Sequence, residues 1–258
     1  MSKHILSKFA DYKHRSLPWL IANWRKKPVK QISSTEHKNL QQRSEQHIQE
    51  LCSFFTYLST CNNKCHAVES SCGFSISKRK SSIPGAGNGV YVESGVVCKG
   101  SIAALYPGTV YYPSEPLFFQ SLGNSFILRC VDGIYVDGND RGISARLYRS
   151  AAGRDVIGAY ESCDTSWLGS CQKNPLAIGQ YVNNATPACP ANVTYQELDL
   201  PQTFPLHLLQ YIPNVRFSGI KADSVQDDSF MRLVLLIALR DIHEGEELFS
   251  SYFAEVGT

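Results

Sequence analysis

The apolar positions of this chain fall into two patterns. Toward the N-terminus, Ile48, Leu51, Phe55 and Leu58 follow the three-to-four spacing of one buried helical stripe. Leu40 lies on the same side earlier, and Ser33 with Glu36 makes a capping box that gives two orphan amide donors their acceptors. A helix over 33–59, packed on the domain that follows, is the expectation. From residue 90 the rhythm turns strand-like: Val90-Tyr91-Val92, Ser101 to Tyr106, then Thr109 to Tyr112, with turns at Lys99-Gly100 and Pro107-Gly108. Phe126 to Val131 and Ile134 to Val136 predict a hairpin turning at Asp132-Gly133. Leu233 to Leu239 is unbroken apolar, which suits a strand buried on both faces, although periodicity alone also admits a buried helix. Gly142 to Asn174 shows no clear period and reads as irregular.

Composition narrows the class. With 258 residues and 43% hydrophobic content, the chain can bury a sizeable core in one domain plus an extension. A net charge of +2 excludes a polycation drawn to nucleic acid by bulk charge, so no direct nucleic-acid binding is expected. No apolar run approaches membrane-spanning length, so no membrane partner is expected, and no short apolar core follows the basic start as in a secretory signal. Nine cysteines, an odd count, read as reduced thiols of an intracellular protein, nuclear or cytoplasmic. Residues 1–32 change that picture in one respect. They carry Lys3, Lys8, Lys13, Arg15, Arg25, Lys26, Lys27 and Lys30 against Asp11 alone. This basic arm is compatible with a mitochondrial presequence as well as with a solvated tail.

Cys52, Cys61, Cys65, His66 and Cys72 supply the ligand types zinc prefers. Cys61-x-x-x-Cys65 is wider than the usual knuckle, however, and no second close pair faces it. No metal is expected there, and 60–80 reads as a cysteine-containing linker ending in solvated Lys78-Arg79-Lys80. Asp132, Asp137, Asn139 and Asp140 lack the alternate-position carboxylates and closing glutamate of a calcium loop. Turn chemistry accounts for them.

Three stretches carry the candidate chemistry. Ile83-Pro84-Gly85-Ala86-Gly87-Asn88-Gly89-Val90-Tyr91 crowds glycines, which permit positive φ and close approach of backbone to a ligand. No strand-then-helix context follows, so this is not a dinucleotide fingerprint. Gly179-Gln180-Tyr181-Val182-Asn183-Asn184 is followed by Pro190-Ala191-Asn192. Arg240-Asp241-Ile242-x-x-Gly245-Glu246-Glu247-Leu248-x-x-x-Tyr252 closes the series. In this order the three resemble the motifs of SET-domain protein lysine methyltransferases, over about 81–253. The resemblance implies a mainly β fold with some α: several small β-sheets around a threaded C-terminal segment, preceded here by the N-terminal helix. The implied SET domain occupies 81–258, with a variable insert at about 141–178 that shapes a substrate groove.

The same resemblance implies roles. Gly87, Asn88 and Gly89 would lie against the methionine part of S-adenosylmethionine, and Asn183 and Asn184 would contact the same cofactor. Tyr252 would be the catalytic tyrosine, touching cofactor and amine; Tyr106 and Tyr181 are expected to line the substrate channel. The implied partner is a protein substrate presenting a lysine. Its amine must be neutral, against a reference pKa of about 10.4. A narrow apolar channel beside a cation favours that form through desolvation and like charge. Asn184 stands where the family has histidine, and Gln180 where it has arginine. After Tyr252 only Phe253 to Thr258 follow. A partner completing the C-terminal side of the pocket is one reading of that short tail. Two other classes fit the same residues: a non-catalytic SET-like module that holds a peptide without turnover, and a zinc-supported interaction scaffold.

Overall fold

The computed structural model describes residues 34–61, 64–155, 160–219 and 229–250. In chain order the first half runs α1 (Ser34–Thr60), α2 (Lys64–Cys72), β1 (Phe74–Lys80), β2 (Asn88–Val97), β3 (Ile102–Leu105), β4 (Gly108–Tyr111), α3 (Phe118–Ser121), β5 (Ile127–Arg129), β6 (Tyr135–Asp137) and α4 (Gly142–Arg154). The second half runs β7 (Asn183–Asn184), β8 (Val193–Pro201), β9 (Asn214–Arg216), β10 (Ser229–Ala238), β11 (Ile242–His243) and β12 (Phe249–Ser250), with short 3-10 turns including Gly179–Tyr181 and Leu206–Tyr211. The strands form three small sheets, in orders β1-β2-β11, β3-β10-β8-β12-β7 and β5-β6-β4-β9. This is the mainly β architecture with some α that the motifs imply. Among the described residues, no helix is long and apolar enough to cross a membrane.

The apolar run near the chain's end is the spine of the largest sheet. Leu233, Val234, Leu235 and Leu236 are buried consecutively, which requires cover on both faces of β10. β10 pairs antiparallel with β8 from Ser229 to Ala238 and with β3 on its other edge. Arg232 pairs opposite Asp199, and its guanidinium reaches Asp199, Glu197 and Asp132 at 2.7–3.0 Å. One cation therefore ties the β5–β6 turn to the β8–β10 ladder.

β12 is inserted between β7 and β8, parallel to both. Those two strands are already joined by loop 185–192, so the closing segment fills a gap spanned by earlier chain. Asn192 holds it there: its backbone N–H donates to the Phe249 carbonyl, its Oδ1 accepts from the Phe249 N–H, and its Nδ2 donates to the Glu247 carbonyl.

α1 carries the expected stripe. Leu51, Phe55 and Leu58 are buried and Ile48 is half-buried against the main core. The Phe55 ring stacks on Tyr211 at 5.6 Å between centroids. The capping residue Ser33 and the basic arm 1–32 lie outside the described residues.

Two expectations need correction. The segment read as linker holds α2 and β1. Ala67 and Val68 anchor α2, and Phe74 anchors β1, all in the main core. Lys78, Arg79 and Lys80 are indeed exposed, but on an edge strand, where charge discourages pairing with another chain; that protective charge is what made the strand read as a linker. Likewise 142–154 is helical. α4 buries Ser144, Ala145, Tyr148 and Ala151, and small residues on the inner face hid its period. The Asp132 and Asn139 side chains accept from the N–H groups two residues on, Ile134 and Arg141, as turn chemistry requires.

If α1 is an integral part of the core, Phe55→Ala should cost about 3–5 kcal/mol. Urea unfolding of parent and variant measures it; a change below about 1 kcal/mol, as at an exposed site, would make α1 an appendage.

Candidate functional site

The glycine loop, the Asn-Asn strand and the closing segment meet at one carboxylate. The closing segment first runs along β2. Gly245 N–H donates to the Val92 carbonyl, Val92 N–H to the Glu246 carbonyl, and Leu248 N–H to the Val90 carbonyl. Arg240 grips Glu246 with two nitrogens at 3.1 and 2.5 Å, and Glu246 Oε1 accepts from the His243 N–H at 2.8 Å. The arginine holds the Glu246 carboxyl below its usual range, and the turn 243–246 is fixed by that pair.

Glu247 points inward, 6% exposed. Its Oε1 accepts from Ser81 Oγ at 2.6 Å. Its Oε2 accepts from Ser82 N–H at 2.8 Å, Ser82 Oγ at 2.6 Å and Tyr91 OH at 2.8 Å. Asn183 Nδ2 lies 3.4 Å from Oε1 and donates to the Asn88 carbonyl at 2.9 Å. Burial pushes the Glu247 carboxyl up, but the donors from Ser81, Ser82 and Tyr91 outweigh it and hold the group below the ordinary glutamate value. Charge-assisted bonds of this kind are the strong ones.

Gly89 is explained by this carboxylate. A Cβ there would sit 2.8 Å from Glu247 Cδ and closer still to Oε1. The expectation that Gly89 is small to admit a ligand is therefore corrected: the space is filled by the protein itself. Gly87 is different. It has φ +81°, which a side chain resists, and nothing lies within 4 Å of the position its Cβ would take. Gly87 and Asn88 are exposed, and Asn184 is half-exposed on β7. Gly87–Gly89 and Asn183 are thus brought to one place, with Asn184 beside them and paired to Ser250.

The two expected channel tyrosines share a neighbour. Tyr106 OH donates to the Phe126 carbonyl at 2.7 Å, and the Tyr181 ring meets the Phe126 ring edge-on at 5.8 Å. Tyr181 OH donates to Asp140 Oδ2 at 2.6 Å and accepts from Lys78 Nζ at 3.2 Å. Burial, then the Asp140 carboxylate, push its phenol well up. Tyr106 also packs edge-on against Tyr195 at 6.2 Å, and Tyr195 OH accepts from Ser250 Oγ at 3.0 Å. An aromatic wall of Tyr181, Phe126, Tyr106 and Tyr195 therefore reaches the end of the described chain. Tyr252 lies outside the described residues. Gln180, beside Gly138, is 3% exposed, and neither amide atom has a protein partner.

Sequence reasoning missed Glu247 as the junction, along with Ser81, Ser82, Phe126 and Tyr195. The signal for Glu247 was present, an acid between glycine turn and apolar strand, but its partners lie over 150 residues away. Cys65 and His66 side chains lie outside the described residues, and burial pushes the Cys72 thiol up to about 11. Among the described residues Cys130, Asp132 and Glu197 do converge, but Arg232 already supplies a cation to both carboxylates.

In the order of its motifs the chain is similar to proteins of the SET-domain family. It is 52% identical over 184 residues to SET domain-containing protein 9 of Homo sapiens, covering 71% of this chain and 60% of the relative. The protein of the same name from Pongo abelii is also 52% identical over 184 residues, 65% of its length. The chain thus spans somewhat under two thirds of the curated relatives it matches. No family model matches the chain. Among solved structures, the Chaetomium thermophilum Polycomb Repressive Complex 2 bound to GSK126 aligns with 74% of this chain and 17% of its own, at 17% identity and TM-score 0.38. A ctPRC2 chain in an autoinhibited conformation bound to S-adenosylmethionine aligns at 16% identity and TM-score 0.38, over 74% of this chain and 16% of that one.

Glu247→Gln places an amide N–H₂ among donors and should cost about 1–3 kcal/mol at neutral pH. The acid dependence fixes the sign. A depressed folded-state pKa contributes stability that is complete above the unfolded glutamate value, about 4.3, and is lost as pH falls through the folded value. Parent stability should therefore decline more steeply than that of Glu247→Gln as pH drops below that value. Parallel pH profiles of the two would show that folding does not favour the carboxylate over its protonated form.

Proposed function

We propose that this chain is a SET-domain, S-adenosylmethionine-dependent protein lysine methyltransferase. The observation that carries the reading is the meeting of Gly87–Gly89, Asn183 and the closing segment around Glu247, in a chain 52% identical to SET domain-containing protein 9. The residues fit the cofactor: open space stands over the Gly87 backbone, exposed amide-bearing chain lies at Asn88, and the half-exposed Asn184 is adjacent. The cofactor supplies an electrophilic methyl group on a sulfonium. Gly87, Asn88, Asn183 and Asn184 would hold it, with Asn183 fixing the Asn88 carbonyl from behind.

The protein's part is alignment and desolvation. The aromatic wall of Tyr106, Phe126, Tyr181 and Tyr195 would exclude water from the lysine side chain, favouring its neutral amine. Tyr181 is held in place by Asp140 and Lys78. Tyr252 would orient the amine through its hydroxyl, so that attack is in line with the breaking bond. Gln180 favours keeping a second reading, the non-catalytic peptide-binding module: its unmatched amide stands where the family has arginine.

Calorimetry with S-adenosylmethionine, then radiolabelled-methyl transfer to cell lysate, tests both readings. Asn183→Ala should weaken cofactor binding about tenfold, the worth of one hydrogen bond near 1.4 kcal/mol. Tyr252→Phe should cut turnover by orders of magnitude with cofactor affinity almost unchanged, the mark of an interaction made only in the transition state. Absence of cofactor binding by the folded chain would end the methyltransferase reading. Binding without labelling, in a chain of the relatives' full length, would select the peptide-binding module.

A further inference from the structure

We infer that Ser82 is a phosphorylation site for a protein kinase with an acidic peptide groove, and that phosphate there releases the closing segment from the glycine loop. Three observations converge. Ser82 follows Lys78-Arg79-Lys80-Ser81, so a serine stands three residues after an arginine and two after a lysine. An acidic groove reads that spacing by charge complementarity. Ser82 is exposed, whereas its neighbour Ser81 is 8% exposed, so only the second serine of the pair is presented. β1 is an edge strand of its sheet and ends at Lys80. Extended chain running into an exposed loop is what a kinase must bind. Arg79 pairs with Glu93 at 3.1 Å and lies over the Tyr91 ring, but a surface pair of this kind is cheap to exchange.

The reaction is ordinary phosphoryl transfer. Ser82 Oγ forms a bond to the γ-phosphorus of ATP as the bond from that phosphorus to the β,γ-bridging oxygen breaks. ADP leaves, and the hydroxyl proton passes to the kinase's base.

The consequence comes from what Ser82 Oγ does in the unmodified protein. It donates to Glu247 Oε2 at 2.6 Å. Phosphorylation removes that donor and sets a group of about −2 charge beside a carboxylate. Like charges at that separation, in a partly dry site, repel strongly. Glu247 loses one of its short bonds and gains a repulsion, while Gly89 leaves its carboxylate no room to shift toward β2. The segment 245–250 must then loosen from Val90 and Val92. An exposed phosphate would instead pair with Lys78 and Lys80 only if it turned away from Glu247, in which case the closing segment would stay as it is. The link from this release to loss of S-adenosylmethionine rests on the function proposed above; the release itself does not.

The test uses the folded chain, ATP and a kinase selective for arginine three residues before serine. Mass mapping should place phosphate on Ser82, and Ser82→Ala should abolish it. Hydrogen exchange at the amides of Gly245 and Leu248 should then quicken on the order of tenfold or more, as local opening requires. Glu247→Gln separates the cause. Phosphate on Ser82 should quicken exchange much less in that variant, measured against its own unmodified form, because no carboxylate is present to repel. Phosphate placed elsewhere, unchanged exchange, or an equal effect in Glu247→Gln would each overturn the inference. Weakened cofactor binding after modification would join it to the proposed function. Quickened exchange in a chain that never binds cofactor would leave the switch standing and remove only that function.

Discussion

A single buried carboxylate has to be satisfied for this domain to close. Glu247 belongs to the last described segment, yet its donors come from Ser81, Ser82 and Tyr91, and Asn183 adds a longer contact. An anion at that depth is tolerable only if its lone pairs are filled. Filling them draws the glycine loop, the Asn-Asn strand and the closing turn to one point. The rest follows in order. Gly89 must lack a side chain, Asn183 must face Asn88, and β12 must enter the gap between β7 and β8. The geometry around the candidate cofactor site is thus set largely by contacts the protein makes with itself.

That arrangement has a cost in folding order. β12 can pair only after β7 and β8 exist, because it lies between them. Its partners are far away in sequence, and such contacts require loop closure before they contribute. The segment that completes the site therefore depends on two strands contributed by earlier chain.

How much of this was legible depended on whether a signal is local. β10 was legible because seven consecutive apolar positions, Leu233 to Leu239, leave few alternatives. α1 was legible because its stripe is regular. The hairpin at Asp132-Gly133 announced itself through turn chemistry. The three motifs were readable as strings, and their order suggested that they meet. What they meet around was not readable: nothing near Glu247 says that Ser81 and Tyr91 will supply its protons. β1 was hidden by the charges that protect its edge, and α4 by the small side chains on its buried face. Tyr195 escaped because β8 mixes acids and apolar residues; Glu197 and Asp199 answer Arg232 across the ladder, which is visible only once the register is known.

The stacking of Phe55 on Tyr211 bears on where this domain can be cut. Sequence motifs begin near Ser81, and a fragment started there would look complete by every motif it contains. It would nonetheless lack Leu51, Phe54, Phe55 and Leu58, which share one core with Leu208, Leu209 and Tyr211. Removing α1 would turn that shared surface into an uncovered apolar patch, the kind that drives association between molecules. A fragment chosen by motif would tend to precipitate or to be recovered only with a solubilising fusion, and its silence in an assay would then report aggregation rather than chemistry.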